Sequence, residues 1–271
     1  MAAPTLNIIG GGQLGRAMGR LFAASGAYRV QDVLTRSQAS ADAAIAFIGA
    51  GRAVAGVGAL RVADAVLLAV PDDQIEAACA ALTPALVPGT LVFHCSGASS
   101  SAVLSAAAAR GAATASVHPV RSFADPARVA ADFAGTFCGI EGDAGALALL
   151  AVPLATIGAR CVVIDAAAKT VYHAASVFAS NYLVTVMDAA LRAYRAAGID
   201  DAVARQLAAP LATQTLDNVL RLGPRAALSG PIARGDLATV ARQQQALDAW
   251  DPATGELYRA LAVATTALAR P

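Results

Sequence analysis

An α/β domain on a doubly wound parallel sheet, followed by an all-helical C-terminal domain, is the fold class this sequence predicts. Three observations lead there. Short runs rich in Val, Ile and Leu alternate with helical stretches as far as Asp165. A glycine-rich turn follows the first run and opens the first helix. Beyond Asp165 the strand signals stop.

The β-type runs fall at 6–10, 28–36, 64–72, 90–97, 113–120, 136–142 and 160–165. Such runs separated by helical spacers are the signature of βαβ units around a parallel sheet. "DAVLLAV" is apolar on both faces, as a central strand must be. The remainder reads as helices over roughly 166–197, 200–222, 236–248 and 252–269, with "AGIDD", "LGPRAALSGPIARGD" and "WDPATG" as breakers between them. The expected domains are 1–165 and 166–271.

The first turn carries chemistry. "LNIIGGGQLGR" places Gly10, Gly12 and Gly15 in GxGxxG spacing, with Gln13 and Leu14 between. Gly10 permits the tight turn, Gly12 lets a pyrophosphate approach the backbone, and Gly15 lets the helix pack close to the sheet. The helix N-terminus offers free N–H groups to phosphates. This predicts a Rossmann-like, dinucleotide-binding domain. A site that prefers NAD puts Asp or Glu at the end of the second strand, to bind the ribose 2′-hydroxyl. Here that strand ends in Thr35, Arg36 and Ser37, and Asp32 lies earlier. A guanidinium flanked by hydroxyls suits a 2′-phosphate, so NADP is expected over NAD. The alternative is that Arg36 is a solvated loop residue. "IIGGGQLGR" also resembles the opening of the ATP-grasp carboxylases, but those need a later mixed α/β domain with acidic metal ligands, and helices stand here instead.

Composition excludes several classes. The 271 residues are 57% hydrophobic, largely through alanine, and the uncharged apolar stretch 144–159 contains Pro153 and is too short to span a bilayer. The N-terminus has no basic segment ahead of its strand pattern, so neither signal peptide nor membrane anchor is expected and the location is expected to be cytoplasmic. With 20 basic and 19 acidic residues the net charge is +1, against a nucleic-acid partner. Four separated cysteines in apolar surroundings read as reduced and mostly buried, and three scattered histidines argue against a metal site.

In a doubly wound sheet the ligand lies across the carboxyl ends of the strands. The fourth strand ends at Val70, Pro71 and Asp72, the expected nicotinamide end. The fifth ends at Ser96 and Gly97, and the sixth at His118, Arg121 and Ser122. Ser96 and His118 make a hydroxyl-binding and proton-transfer pair; the alternative for His118 is a structural histidine before a proline. His94, inside its strand, reads as structural. On the helix after Asp165, Lys169, His173, Ser176 and Ser180 fall within about 60° of one another, whereas Asn181 lies about 120° from Lys169. A surface stripe is the alternative. With no acidic partner evident, a Lys beside a His in a cleft would lower both pKa values by like-charge repulsion, which suits acid–base work. In "LSGPIARGDLATV", Asp236 reads as an N-cap, and Arg234 as a holder of a carboxylate or phosphate, with Ser229 nearby and Asn218 on the preceding helix.

"GGGQLG", "LTRS", "DAVLLAVPDDQI", "FHCSGA", "HPVRSF", "KTVYHAASVFASNYLVT" and "GPIARGDLATV" together resemble a bacterial family that joins a Rossmann-like domain to a helical domain of unknown function. That family resembles the superfamily of 6-phosphogluconate dehydrogenase, ketopantoate reductase and pyrroline-5-carboxylate reductase. The resemblance implies hydride transfer to or from a small anionic substrate, a keto/hydroxy or imino acid, bound between two domains. It also implies a homodimer paired through the C-terminal helices. Ser96 and His118 are similar in position to the serine and histidine at the substrate hydroxyl of prephenate dehydrogenases. Lys169 matches the lysine of the Lys-x-x-x-Asn pair of β-hydroxyacid dehydrogenases, with His173 in place of the asparagine. The expected catalytic set is Lys169, His173, His118 and Ser96. Arg121, Asn181, Asn218, Ser229 and Arg234 are the expected substrate contacts. The rival reading is a nucleotide-binding regulator without turnover.

Overall fold

The strand order is the feature that positions everything else. In the computed structural model, which describes residues 2–270, eight strands form one sheet in the order β3-β2-β1-β4-β5-β6-β7-β8. β1 (Thr5–Ile9) leads through α1 (Gln13–Ser25) to β2 (Arg29–Leu34), then α2 (Gln38–Ile48) and the short β3 (Arg52–Val54). The chain then returns to the other side of β1 with β4 (Ala65–Leu68), α3 (Ile75–Leu82), β5 (Leu91–His94), α4 (Ser105–Ala108) and β6 (Ala113–Pro119). These six strands are parallel. The order reverses between β1 and β4, and a doubly wound sheet opens a ligand crevice at such a point.

After β6 the structure departs from the expected all-parallel sheet. α5 (Pro126–Ala131) leads into β7 (Phe137–Gly142), which runs antiparallel to β6. Six helical residues advance only about 9 Å, too little to carry the chain back along the seven-residue β6. The thirteen-residue α6 (Ala144–Thr156) does cross back, so β8 (Arg160–Val163) is parallel to β7. β3 has no counterpart among the predicted runs: three residues carry no periodicity to detect.

Period-two alternation sends side chains to both faces of the central strands. Leu6, Ile8, Leu67 and Phe93 pack with Met18 and Phe22 of α1. Ile9, Val66, Leu68 and Val92 pack with Ile75, Cys79 and Leu82 of α3. Asp32 is fully buried on β2 and is held by Arg52 Nε at 3.0 Å and Arg61 Nη2 at 2.7 Å. Burial alone would raise its carboxyl, but the hydrogen bonds from Arg61 and Arg52 outweigh it and hold it below the usual range. Three of the four cysteines are buried as expected; Cys161, on β8, is exposed.

The chain divides into two compact units, Met1–Ala179 and Ser180–Pro271. The division therefore falls later than the expected 165/166, because α7 (Lys169–Ala179) stays with the sheet. The single helix expected over 166–197 is broken at Ser180, where φ is −127° and ψ is −72°, and α8 (Asn181–Ala196) follows. By length and composition alone, the stretch Ala166–Ala196 could cross a membrane, contrary to the sequence reading. Within it lie the break at Ser180 and the buried, ion-paired Lys169.

The second unit is helical: α8, α9 (Asp201–Leu222), α10 (Pro224–Ala227), α11 (Leu237–Trp250) and α12 (Pro252–Ala269). Arg192 of α8 reaches Asp251 at 2.7 Å and Thr254 at 2.8 Å, tying α8 to the start of α12. Asp236 caps α11 through Thr239 N at 3.0 Å, as its place in the sequence predicts.

Two glycines of the first turn separate folding from binding. Gly10 has φ +112°, and a Cβ there would overlap the Ala69 carbonyl, whereas a Cβ on Gly12 meets nothing within 4 Å. Gly10→Ala is expected to destabilise by about 2–4 kcal/mol. Gly12→Ala is expected to leave Tm unchanged; calorimetry of both variants checks the contrast.

Candidate active site

The carboxyl ends of β1, β2 and β4 border a cavity of about 480 Å³. Its walls include Gly10, Gly11, Gly12, Thr35, Arg36, Val70 and Pro71. Of the expected cofactor residues, Gln13, Leu14, Gly15, Ser37 and Asp72 are not part of the wall itself, while Ser40 and Gln74 line it unforeseen. Gly15 is instead a packing residue, as its motif role requires: its would-be Cβ meets the Gly10 carbonyl. α1 begins at Gln13 with Gly12 as an N-cap that supplies no side-chain bond, and its first turn holds no acidic residue. Its leading N–H groups and positive dipole end are therefore available to an anion. Arg16, in the first turn but one, has a buried Nε with no hydrogen-bond partner among the described residues.

The flanking hydroxyls at Arg36 are partly committed. Thr35 Oγ1 donates to the Ser37 carbonyl at 2.7 Å, so its one proton is spent, and the Ser37 oxygen caps α2 through Ser40 N at 3.3 Å. The Ser37 proton remains free to donate. Arg36 is exposed at the cavity wall.

After Pro71 the chain enters a polar cluster. Asp72 accepts from Ser96 Oγ at 2.7 Å, and Ser96 Oγ also accepts from the backbone N–H of Ala98 and Ser99 at 3.2 and 2.9 Å. Ser96, expected at the substrate hydroxyl, thus has its only proton on Asp72 and shapes the turn after β5. Next comes Gly97. A Cβ there would lie 2.8 Å from His118 Nε2 and would collide with His173, so only glycine lets both rings approach. His118, half-buried at the end of β6, has Nδ1 3.0 Å from the Tyr172 hydroxyl. Its ring centroid lies 5.6 Å from that of His173 and 5.5 Å from that of Tyr172, both edge-on. Burial, reinforced by His173 and Lys169, pushes the His118 pKa down to about 4. Tyr172 is raised above the usual phenol range, mainly by burial.

The structure therefore brings His118 and His173 together as expected and adds Tyr172, which the sequence reading passed over. It removes Lys169 from the open site. Lys169 is 1% exposed and bonds Ser116 Oγ and Glu141 Oε1, the latter at 3.4 Å. The acidic partner judged absent from the sequence is thus supplied by β7. Desolvation lowers the Lys169 pKa and Glu141 opposes it, so like-charge repulsion is not the cause. Arg121 is likewise committed: it bonds the Asp132 carboxylate, the Asp132 carbonyl at 2.7 Å and Thr136 Oγ1 at 3.3 Å. Asn181, Asn218, Ser229 and Arg234 all lie in the second unit. Asn181 opens α8 and is exposed, as are Ser229 and Arg234. Asn218 accepts from Arg221 at 3.0 Å.

His94 is structural, as expected. It is fully buried, its Nδ1 accepts from Ser96 N at 3.1 Å, and its Nε2 therefore carries the proton toward the Ser100 carbonyl at 3.2 Å.

Comparison with known proteins defines the class. Residues 2–119 match the family model described as a Rossmann-like domain, and residues 136–265 match the one described as a domain of unknown function, DUF2520. The chain joins these two domains, as the sequence resemblance implied. Among solved structures, a Bacteroides fragilis protein provisionally described as an NADP oxidoreductase is 20% identical, with 98% of each chain covered and a TM-score of 0.81. An imine reductase from Myxococcus stipitatus, in complex with NADP+, is 19% identical over 98% of this chain and 93% of its own, with a TM-score of 0.67. A pyrroline-5-carboxylate reductase from Coxiella burnetii is 18% identical over 99% of this chain and 100% of its own, at 0.61. These likenesses show the fold. No curated protein matches the chain significantly.

The buried histidines set the acid behaviour. Burial pushes His94, like His118, from 6.5 to about 4, so both are neutral in the fold. A lowered histidine pKa stabilises the fold fully above the unfolded value of 6.5, and that contribution is lost as pH falls toward 4. At about 1.4 kcal/mol per unit, His94 alone contributes on the order of 3 kcal/mol. Tm is expected to fall steadily between pH 6.5 and 4, and a flat Tm profile across that window would contradict the assignment.

Proposed function

We propose that the protein is an NADP-dependent oxidoreductase acting on the C=O or C=N carbon of a small keto/hydroxy or imino acid. One observation carries this reading: the glycine-walled cavity at the sheet's reversal point is bordered by Pro71, the next residue, Asp72, holds Ser96, and the turn after Ser96 brings Gly97 against a cluster of three proton-bearing side chains, His118, Tyr172 and His173. The structural kinship with NADP-binding reductases supports it.

The cavity suits the cofactor. Gly12 leaves open space where a diphosphate would approach, the uncapped start of α1 offers N–H donors, and Arg36 offers a guanidinium to a 2′-phosphate. Bound there, the nicotinamide supplies the hydride. The protein's own task is the matching proton at the substrate oxygen or nitrogen. A neutral His118 that accepts from Tyr172 at Nδ1 presents its Nε2 proton in the space that Gly97 leaves open. As Nε2 gives up its proton, Nδ1 takes the Tyr172 proton in the same step, leaving a phenolate that solvent reprotonates, and His173 supplies a second imidazole beside it. A regulator without turnover has no use for this cluster.

Arg36→Ala is expected to weaken NADPH binding about 10- to 100-fold while leaving NADH binding unchanged. Fluorescence titration with both cofactors measures this; equal losses would return Arg36 to an ordinary loop residue. Tyr172→Phe is expected to lower kcat by about 10²-fold or more, with KM for NADPH unchanged. A screen of imines and keto acids against wild type and this variant checks it.

We also propose a homodimer formed through the second unit. The groove between α8 and α9 is lined by Leu183, Val186, Met187, Leu211 and Leu216. Val184 and Leu220 are 68% and 78% exposed. Apolar surface of this extent marks an interaction face. Light scattering is expected to give twice the chain mass, with Leu211→Glu/Leu220→Glu shifting it to the monomer.

A further inference from the structure

The proton chemistry above leaves one buried charge pair unused. Glu141 is buried on β7, and besides Lys169 it accepts from Ser101 N and Ser101 Oγ, both at 2.7 Å. Ser116, which Lys169 contacts, donates in turn to the Ser96 carbonyl at 3.3 Å, so the bonded chain ends next to Gly97. Fold stability does not account for the pair, since apolar replacements of a buried ion pair are commonly neutral or stabilising.

Its placement points to another role. Ser116 and His118 lie two residues apart on β6, on one face of the strand. Lys169 and Tyr172 lie three apart on α7, on neighbouring helical positions. Lys169 meets Ser116 and Tyr172 meets His118, so the helix is clasped to the strand at two successive points.

We propose that Glu141 and Lys169 form a positioning pair, which docks α7 on the sheet and holds the His118 ring between Tyr172 and Gly97. This deepens the oxidoreductase reading and rests on it. Lys169 is a positioning residue here: it is buried, and its ammonium bonds Ser116 and Glu141. The groups acting on His118 are His173, Tyr172 and Lys169 from α7 and Asp72 beyond β4. The Lys169 cation and His173 favour the neutral ring, and Asp72 opposes them.

Two variants test the pair through opposite shifts. Lys169→Met/Glu141→Leu removes both charges and strands neither. It is expected to fold and to bind NADPH as wild type does. The His118 titration, followed by NMR, is expected to rise by about one pH unit, and kcat to fall about tenfold or more with KM for NADPH unchanged. Glu141→Gln keeps an acceptor for Ser101 but leaves Lys169 unneutralised, so the His118 titration is expected to move down. Being isosteric, it decides the matter alone if the double variant fails to fold. A packing role alone would move neither titration. Wild-type titration in both variants would overturn the proposal. So would loss of turnover in Lys169→Met with the His118 titration unmoved, which would make Lys169 a direct participant. The titration is read without substrate, so a wild type that turns over no imine or ketone would defeat the oxidoreductase reading and leave this result separate.

Discussion

Where the chain leaves β1, its backbone passes so close to the Ala69 carbonyl at the end of β4 that no side chain fits at Gly10. The rest of the site depends on this contact. It lets α1 start immediately above the sheet, with Gly15 packed on the Gly10 carbonyl, and it fixes where the two halves of the sheet part. The cavity is what remains open when β2 and β4 both pair with β1 and their following turns diverge. A larger residue at Gly10 would push α1 away and lose both the phosphate-facing N–H groups and the wall formed by Val70 and Pro71.

A second constraint governs the proton-bearing side chains. Histidine and tyrosine are useful near an apolar sheet only if something fixes their charge state and their distance. His118 is kept neutral by burial, and its Nδ1 is engaged by Tyr172. Gly97 removes the steric barrier that would keep His118 and His173 apart. Asp72 consumes the Ser96 proton, which locks the turn carrying Gly97. Ser96 and His118 Nδ1 are thus held by hydrogen-bonded partners, leaving His118 Nε2 with its space toward Gly97.

Much of this was legible in the sequence. The glycine spacing identified the β1–α1 turn, and the apolar runs identified seven of the eight strands, because both signals are local. The strand ends placed Pro71 at the cavity and set His118 beside the turn that follows Ser96 for the same reason. The readings that changed all depend on a partner distant in sequence. Lys169 looked unpaired because Glu141 lies 28 residues away, on β7. Arg121 looked available because Asp132 binds it from the end of a short helix. Tyr172 was overlooked because it sits off the Lys169–His173 stripe, and only the position of β6 reveals that His118 meets it.

The sequence by itself therefore determined the fold class, the phosphate-binding turn and the strand ends that border the crevice. Those follow from backbone sterics and periodic burial, which a short stretch of chain expresses on its own. Only the tertiary structure decided the direction of β7, the break at Ser180 and the exchange of roles between Lys169 and Tyr172. Those depend on which side chains meet across the sheet. One buried carboxylate at Glu141 draws Lys169 inward, and the same helix then turns Tyr172 and His173 toward His118.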